Sequence, residues 1–414
     1  MPTINKNNGI EMADIAKINE QDVPSGGGGA TANPLATSGV QQAEAISVNF
    51  NTGLDATFGR GPAATQTFEQ IVTNRYQQFY ARKSDGTLWY WFPASGTGST
   101  YYKPSGTIAD ATWRQYGSDT NWDLLAGGSY SFGALRDGDY WFLGAGSYRQ
   151  RGDGSTSSVS NWTEVNSAGN WTYLWFGYNH AWIVNSSGEA YSSGYGYNYM
   201  TGQGTTSTVS TFTRESASLS NIVEVSGGYR SSYLRNSSGD VYMTGNDQYG
   251  KWPQQTSGST SSVNGPTLAI SSTSDYVCGK LGKMGYGGGC NIDTDGYLRF
   301  HGNGYYTYLR PDGVVSPSSD ANKYWNSGAG YRLDDLGTGW VDYNNFDINS
   351  SSSNIAFCVN SDGRVLFGGN GVEDIKETLG FTKNKEFITV RSANGNEDCC
   401  IWNKQDSTFV LCIG

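Results

Sequence analysis

Short runs of alternating apolar and polar residues recur along most of this chain. The clearest set lies between Ile222 and Gly245, where IVEVS, SSYLRN and DVYMTG are separated by GGYR and SSG. Alternation with a period of two places successive side chains on opposite faces of a strand, and glycine supplies the positive φ that tight turns require. The segment therefore predicts three antiparallel strands. Because three short strands bury little by themselves, they need neighbouring units to cover their faces.

The same pattern recurs at nearly regular intervals. A turn ending in glycine marks each copy, at Gly86, Gly138, Gly188, Gly239, Gly296 and Gly363. The successive spacings, by subtraction of residue numbers, are 52, 50, 51, 57 and 67 residues. A last copy runs from Phe387 to the C-terminus, with Asp406-Ser407 at the turn, which makes seven units. A period near 50 residues with several strands per unit is typical of a β-propeller.

The segment from Val225 to Gly250 resembles the regulator-of-chromosome-condensation repeat. The resemblance covers about residues 71–414, and it is strong in the third, fourth and sixth units and loose in the fifth. It implies an all-β, seven-bladed β-propeller, and it implies little about function, because this fold carries unrelated activities.

Two strand-like segments, Ser47–Phe50 and Ala56–Phe58, precede the repeats, whereas the last unit ends just after its third strand. A closed ring of blades leaves no open sheet edge. We therefore predict that the propeller spans residues 45–414 and that residues 45–62 complete its last blade beside the C-terminal strands.

Composition and charge exclude some classes of partner. Charged residues make up 15% of the chain, and the formal net charge is −10. Since a surface that follows a phosphate backbone needs clustered Lys and Arg, we expect no nucleic-acid partner. No apolar run approaches the length of a membrane span, and no signal-peptide pattern opens the chain, so we expect no membrane insertion and synthesis in the cytoplasm. The six cysteines are interpreted mainly as small core residues.

The first 44 residues differ in character from the repeats. An apolar arm over residues 1–24 is followed by a Gly/Ser-rich linker over residues 25–44. The large apolar side chains of the arm, which we predict to be its docking residues, are Ile4, Ile10, Met12, Ile15, Ile18 and Val23. An apolar segment on a flexible linker favours a docking peptide over a disordered tail.

The arm also resembles the N-terminal segments of tailed-bacteriophage structural proteins. The residues that carry this resemblance are Ile10, Ala13, Ile15, Ala16, Lys17, Ile18, Asn19 and Asp22. The resemblance implies a virion component that is anchored by its N-terminus, with the propeller projecting outward from a tail appendage or as a capsid decoration.

Aromatic residues in the segments between strands are the candidate ligand-binding residues. We favour Tyr195, Tyr197, Tyr199, Tyr305, Tyr306 and Trp325. Tyrosine and tryptophan give a large contact area at a modest entropic cost, which suits a sugar or protein surface. Loops on one face of a propeller are the usual place for binding. The alternative is that many of these rings pack between blades.

The sequence offers no recognisable catalytic constellation. His180 and His301 are the only histidines, and neither has a partner at the spacing of a metal site or a catalytic triad. The paired carboxylates Asp334 and Asp335 are adjacent in sequence, and adjacent residues rarely flank one glycosidic bond. We therefore expect that the protein is not an enzyme and that it has no cofactor.

Two short motifs resemble binding motifs. The segment Asn291–Gly296 begins like a calcium loop, but Gly302 stands where the closing glutamate belongs, so a tight turn is favoured and no metal is expected. The segment Arg151–Asp153 spells an integrin-type tripeptide inside a Gly/Ser-rich loop, where turn chemistry explains the same residues.

Two functions of different classes fit these patterns. The first is a structural and binding protein of a tailed phage particle, whose arm binds other virion proteins and whose propeller contacts a host surface glycan or protein. Multiple copies on a symmetric particle would add avidity to weak contacts. The alternative is a soluble propeller that binds or inhibits a single partner protein. A glycan depolymerase would need buried carboxylates of raised pKa in one cleft.

Overall fold

The computed structural model of the protein describes most of residues 69–302 and a set of strands on either side. The described residues are 46–50, 54–58, 69–74, 78–92, 100, 102–110, 112–167, 169–228, 230–246, 262–272, 277–281, 288–302, 331–332, 339–346, 355–360, 365–369, 376–378, 385–391, 397–403 and 409–413.

Within these residues the ordered elements are strands and one 3-10 turn at Tyr197–Tyr199. The strands are β1 Ile46–Phe50, β2 Leu54–Phe58, β3 Gln70–Thr73, β4 Phe79–Arg82, β5 Leu88–Trp91, β6 Arg114–Gln115, β7 Trp122–Gly127, β8 Ser131–Arg136, β9 Asp139–Gly144, β10 Val159–Asn166, β11 Trp171–Phe176, β12 His180–Asn185, β13 Ala190–Gly194, β14 Val209–Arg214, β15 Ile222–Gly227, β16 Ser231–Asn236, β17 Val241–Asn246, β18 Ser262–Ile270, β19 Cys278–Leu281, β20 Gly288–Asp293, β21 Leu298–Gly302, β22 Tyr331–Arg332, β23 Trp340–Phe346, β24 Ile355–Asn360, β25 Val365–Gly369, β26 Lys376–Thr378, β27 Lys385–Arg391, β28 Glu397–Asn403 and β29 Phe409–Ile413.

Consecutive strands pair antiparallel into four-stranded sheets. We name these sheets I (β3 to β6), II (β7 to β10), III (β11 to β14), IV (β15 to β18), V (β19 to β22) and VI (β23 to β26). A five-stranded sheet, sheet VII, has the strand order β1-β2-β29-β28-β27. In sheet VII the N-terminal hairpin joins the C-terminal strands, with Ala56 opposite Ile413 and Thr57 opposite Cys412.

The fourth strand of each unit is a correction to the sequence analysis, which predicted three. Strands β10, β14 and β18 begin within the Ser/Thr/Gly/Asn-rich segments 152–160, 195–211 and 254–265, which we interpreted as lying between the repeat cores, and they continue beyond these segments. Their pairing with the third strand is interrupted by register shifts in all three sheets. These outer strands are mostly half-buried or exposed, as in β14, so they lack the apolar alternation that identifies a strand.

The core lies between successive sheets, because each buried cluster draws its side chains from two neighbouring sheets. Tyr80 of sheet I packs with Trp122 and Phe132 of sheet II. Three further clusters follow at the next junctions: Phe142 with Leu174 and Ile183, Trp182 with Ile222 and Leu234, and Tyr233 with Cys278 and Leu281. Burial of each such side chain stabilises the fold by about 1.5–3 kcal/mol. Neighbouring sheets therefore cover one another's faces.

The first strands of successive sheets also contact each other directly. The side chain of Gln70 in β3 makes two hydrogen bonds of 2.8 Å to the backbone of Leu125 in β7. Equivalent bonds join Tyr173 Oη to the Val225 carbonyl at 3.3 Å and the Leu281 N–H to Glu224 Oε2 at 3.1 Å. These side chains connect the first strands of successive sheets, which we call the inner strands. The strands connected in this way are about one unit apart in sequence.

Glycine turns complete the junctions of sheets I with II, II with III, and III with IV. The first backbone N–H of an inner strand donates to the turn glycine of the preceding sheet, in the pairs Trp122 with Gly86, Trp171 with Gly138, and Ile222 with Gly188, at 2.9–3.1 Å. Gly138 has a φ of 76°. A Cβ atom on Gly138 would lie 2.6 Å from the carbonyl oxygen of Gly169. Glycine is therefore required here both for backbone conformation and for the close approach of the next sheet.

We predict that Gly138→Ala lowers the free energy of unfolding by about 2–4 kcal/mol. The left-handed backbone accounts for about 1 kcal/mol, and displacement of the neighbouring backbone accounts for the rest. Gly106→Ala is the matched control, because Gly106 has a φ of 80° but open space around its Cβ position. Urea unfolding would measure both variants, and equal losses would show that the junction contact is unimportant.

Candidate functional site

The turn between the first two strands and the loop between the last two emerge at the same edge of a sheet. In sheet III the N–H of Tyr195 donates to the Asn179 carbonyl at 2.9 Å, and in sheet II that of Ala145 donates to the Tyr130 carbonyl at 3.0 Å. In sheet IV the corresponding bond reaches the carbonyl of Arg230. We call the edge that carries these segments of sheets II to IV the loop edge.

Three tyrosines and one arginine form a continuous surface group at the loop edge. The rings of Tyr148 and Tyr195 have centroids 5.6 Å apart, and those of Tyr195 and Tyr197 are stacked at 5.8 Å with planes 10° apart. The guanidinium of Arg230 lies 4.8 Å from the centroid of the Tyr197 ring. The three tyrosines are 41%, 37% and 43% exposed. We call these four residues the tyrosine ridge.

The structure brings together two of the residues predicted to bind a ligand. Tyr195 and Tyr197 are in the ridge, while Tyr199 lies half-buried in the same 3-10 turn. Tyr305, Tyr306 and Trp325 lie outside the described residues, as do the predicted docking residues Ile4, Ile10, Met12, Ile15, Ile18 and Val23.

Sequence reasoning missed Tyr148 and Arg230. Aligning GAGSYRQRGDGS (144–155) with GYGYNYMTGQGT (194–205) would have placed Tyr148 in the loop equivalent to that of Tyr197.

The two loops that carry the ridge share an uncommon backbone conformation. Arg149 and Tyr199 occupy equivalent positions and have φ values of 64° and 62°, and Asn198 has a φ of 56°. Each such residue costs of the order of 1 kcal/mol and persists only where its surroundings fix it. The N–H of Tyr199 donates to the Gly196 carbonyl at 2.9 Å, and the N–H of Arg149 makes the equivalent 2.8 Å bond in its own loop.

A buried hydroxyl of sheet IV anchors the Tyr197 loop. Ser232 Oγ donates to the Met200 carbonyl at 2.9 Å and accepts from Trp182 Nε1 at 2.9 Å. His180 Nε2 also lies 2.9 Å from Ser232 Oγ. Because the hydroxyl proton is directed at Met200, Nε2 must carry a hydrogen and donate to the same oxygen.

A second hydroxyl holds Tyr199, the residue of this loop with the positive φ of 62°. Thr244 Oγ1 of sheet IV donates to the Tyr199 carbonyl at 2.8 Å. The loop of sheet III is therefore fixed by side chains of the next sheet, and the same sheet supplies Arg230 to the ridge.

His180 is neutral in the folded protein. Burial lowers the pKa of its imidazole to about 3. With its proton on Nε2, the buried Nδ1 atom has no hydrogen-bond partner among the described residues. His180 also contacts the Trp175 ring edge-on at 5.3 Å. Its role is to fix the packing between sheets III and IV, and a neutral ring in this position carries no charge to a ligand.

The described part of the loop edge is locally basic. This part comprises segments 128–130, 145–158, 177–179 and 195–208 and residues 228 and 230. Its charged side chains are Arg149, Arg151, Asp153 and Arg230. Arg151 and Asp153 form an ion pair at 2.8 Å, so the carboxylate is internally compensated. The described segments of this edge thus contain three arginines and one aspartate, in a chain whose formal net charge is −10.

The two motif-like segments have structural roles. The ion pair of Arg151 with Asp153 occupies the polar groups of the tripeptide within its own loop. In the segment Asn291–Gly296, Asp293 Oδ1 accepts from the N–H groups of Asp295 and Tyr297, and Oδ2 accepts from Arg299 Nε at 2.9 Å. The carboxylate of Asp293 is therefore used by the turn and by an arginine.

At three described carboxyl groups, hydrogen bonding lowers the pKa. The pKa of Asp85 is lowered by hydrogen bonds from Thr87, that of Asp110 by Arg114, and that of Glu189 by Asn185 and Tyr191. Over the same residues, no group of three or more His, Cys, Asp or Glu could hold a metal ion. The part of the chain with described positions also contains no helix long and apolar enough to cross a membrane.

Comparison with solved structures identifies the architecture. Human WBSCR16 superposes with a TM-score of 0.56 at 15% identity, over 79% of this chain and 86% of that chain. Prp20p from Saccharomyces cerevisiae superposes with a TM-score of 0.62 at 12% identity, over 86% of this chain and 85% of that chain. Yeast RCC1 (Prp20) bound to Kap60 gives 0.61 at 11% identity, over 86% and 83%. The fold is that of an RCC1-like β-propeller.

These identities show the fold alone. No protein-family profile matches this sequence, and no curated protein matches it. In such a fold any chemistry resides in particular side chains rather than in the sheets, so the likeness assigns no activity.

We predict opposite outcomes for two neighbouring buried serines. Ser232→Ala leaves Trp182 Nε1, His180 Nε2 and the Met200 carbonyl without their shared partner, and should cost about 2–4 kcal/mol of unfolding free energy. Ser231 is equally buried, but its hydroxyl has no hydrogen-bond partner among the described residues. Ser231→Ala should therefore be neutral or stabilising. Chemical denaturation of both variants measures this difference, and equal effects would contradict the network.

We also predict a pH-dependent stability that His180 contributes. The unfolded chain binds a proton below about pH 6.5, whereas the folded state resists protonation down to about pH 3. Stability should therefore fall with decreasing pH across this window, by up to about 1.4 kcal/mol per pH unit. His180→Gln keeps a donor to Ser232 without a titrating ring. Between pH 6.5 and 5 the variant should lose less stability than the parent protein, and identical profiles would disprove the assignment.

Proposed function

We propose that this chain is a non-enzymatic binding protein of a tailed phage particle. In this proposal the N-terminal arm binds other virion proteins, and the tyrosine ridge contacts the host surface. The observation that carries the binding role is the ridge itself, a set of exposed rings, two of which lie on a loop that buried hydroxyls of the next sheet anchor. Rigid aromatic side chains on fixed loops lose little entropy on binding.

We further propose that sheets I to VII are the seven blades of a closed ring. Two features support closure. The hairpin β1–β2 pairs with β29, so both ends of the chain contribute to sheet VII. The inner strand β27 of sheet VII also contacts β3, the inner strand of sheet I. A closed ring without open edges would be a stable platform for loops on one face.

The virion role rests on the N-terminal arm. Residues 1–24 resemble the anchoring segments of phage structural proteins, and a Gly/Ser-rich linker separates them from the propeller. A linker of this composition is expected to let an anchored platform reorient toward a surface. Copies arranged on a symmetric particle would convert weak individual contacts into strong attachment.

We predict that binding to the particle depends on the arm. Full-length protein should bind particles that lack this protein, whereas a variant without residues 1–42 should not, because the apolar docking residues are removed. Pull-down of the two proteins with such particles measures this. Tyr197→Ala is a matched control, because it alters the ridge and should leave particle binding unchanged.

The other outcomes of this pull-down separate the competing functions. Equal binding by both proteins would make the propeller the docking surface and would remove the main support for host contact. Absence of binding by either protein would favour a soluble propeller that binds a single partner. Such a role would resemble that of Prp20p, whose structure was reported with its binding to Gsp1p and histones.

A further inference from the structure

We propose that the outer edge of β14 is a strand-addition site for a second copy of this chain, and that residues 151–155 keep this site closed. These residues belong to the loop that follows β9, and we call them the strap. The strap includes the tripeptide Arg151–Asp153, to which the proposed function gives no role. The inference concerns a strand edge and not the tyrosine ridge, so it does not rest on the proposed function.

The strap pairs with β14 as a short antiparallel strand would. The N–H of Gly154 donates to the Ser210 carbonyl at 2.8 Å, and the N–H of Phe212 donates to the Gly152 carbonyl at 3.1 Å. An antiparallel bridge lies between these two bonds. Since β14 is the last strand of sheet III and pairs with β13 on its other side, the strap lies on the outer edge of the sheet. That edge therefore accepts an antiparallel partner.

The strap is held on this edge by the conformation of its own loop. Arg149 Nη1 donates to the Gly154 carbonyl at 2.6 Å. Gly152 and Gly154 have φ values of 83° and 85°, which glycine adopts most readily. A Cβ atom on Gly152 would lie 2.4 Å from two atoms of the Phe212 ring. The close approach of strap and strand therefore depends on glycine.

The outer strand of the next sheet closes the equivalent position by a different means. Phe212 of β14 and Pro266 of β18 are equivalent, because each precedes the residue that pairs with Ser192 or Met243 in the third strand. Proline has no N–H to donate to an added strand. The loop of sheet III approaches this proline, since a Cβ atom on Gly202 would lie 3.2 Å from its Cγ. Two sheets thus protect one position differently, which is expected where open edges self-associate.

A second copy of this chain is the partner that this edge fits. The strand VSTFTR is rich in β-branched and aromatic residues and carries one charge, which is typical of segments that pair with themselves. In a two-fold dimer both copies present the same groups. The Phe212 N–H and the Ser210 carbonyl, which bond to the strap in the closed form, would then pair with β14 of the other copy.

The experiment opens the strap in the full-length protein and measures its mass in solution by light scattering. The variant Gly152→Val with Gly154→Pro places a side chain against the Phe212 ring and removes the N–H that binds Ser210. We expect about a twofold increase in mass relative to the parent protein, because two opened edges pair. Gly154→Pro alone is a milder variant and should change the mass in the same direction.

Two control variants keep a closed edge. Gly202→Val with Gly204→Pro changes the equivalent glycines of the next loop, and it should retain the parent mass because Pro266 still stands in β18. Phe212→Pro, added to the opened strap, should restore the parent mass, since it removes the donor from β14 as Pro266 does from β18. Thermal melting of each variant distinguishes loss of the strap from loss of the fold.

Hydrogen exchange of the segment Val209–Arg214 interprets a variant whose mass does not change. Faster exchange at the parent mass would show an open edge that does not pair, and it would overturn the inference. Unchanged exchange at the parent mass would show that the strap does not close this edge, with the same consequence. An equal increase in mass in the Gly202 and Gly204 variant would place the association elsewhere and would also overturn the inference.

Discussion

The rest of the structure depends on backbone hydrogen bonds at the start of each inner strand. At the junction of sheets II and III, the N–H of Trp171 donates to Gly138 in the preceding turn, while the Asn170 carbonyl accepts from the Ser186 N–H in the turn of its own sheet, at 2.8 Å. Strand β11 is therefore held between two successive turns, and β15 is held in the same way by bonds of Ile222 with Gly188 and of Asn221 with Ser237. Because backbone atoms make these bonds, they require a fixed turn geometry and a close approach, and they tolerate wide variation in the other side chains.

The same kind of junction, between sheets III and IV, explains how a surface group can be built from more than one sheet. Once sheet IV is held in register with sheet III, Ser232 and Thr244 reach the carbonyls of Met200 and Tyr199. Those bonds stabilise the left-handed residues of the loop, which in turn hold Tyr197 beside Arg230. The ridge is therefore a property of the junction, since one sheet alone would supply neither the support of the loop nor the arginine.

The first three strands of a unit were predictable because their apolar alternation and turn glycines are local signals. The predicted runs at IVEVS and SSYLRN correspond to β15 and β16. The outer strands were not predictable, since one face meets solvent and their pairing is irregular. Contacts such as His180 with Ser232 join residues 52 positions apart, close to the unit period, so they follow from the arrangement of sheets and not from any local pattern.

Two groups at or beneath the described loop edge that could in principle carry a proton are held in internal contacts. The imidazole of His180 is buried and neutral, with its proton committed to Ser232, and Asp153 is paired with Arg151. Neither group is free to move a proton to a bound molecule, which general acid–base catalysis would need. Among the described residues of this edge, the large exposed side chains are the rings of Tyr148, Tyr195 and Tyr197. In the proposed binding role these rings would act by stacking, and a junction that fixes their spacing in advance would reduce the entropy lost on binding.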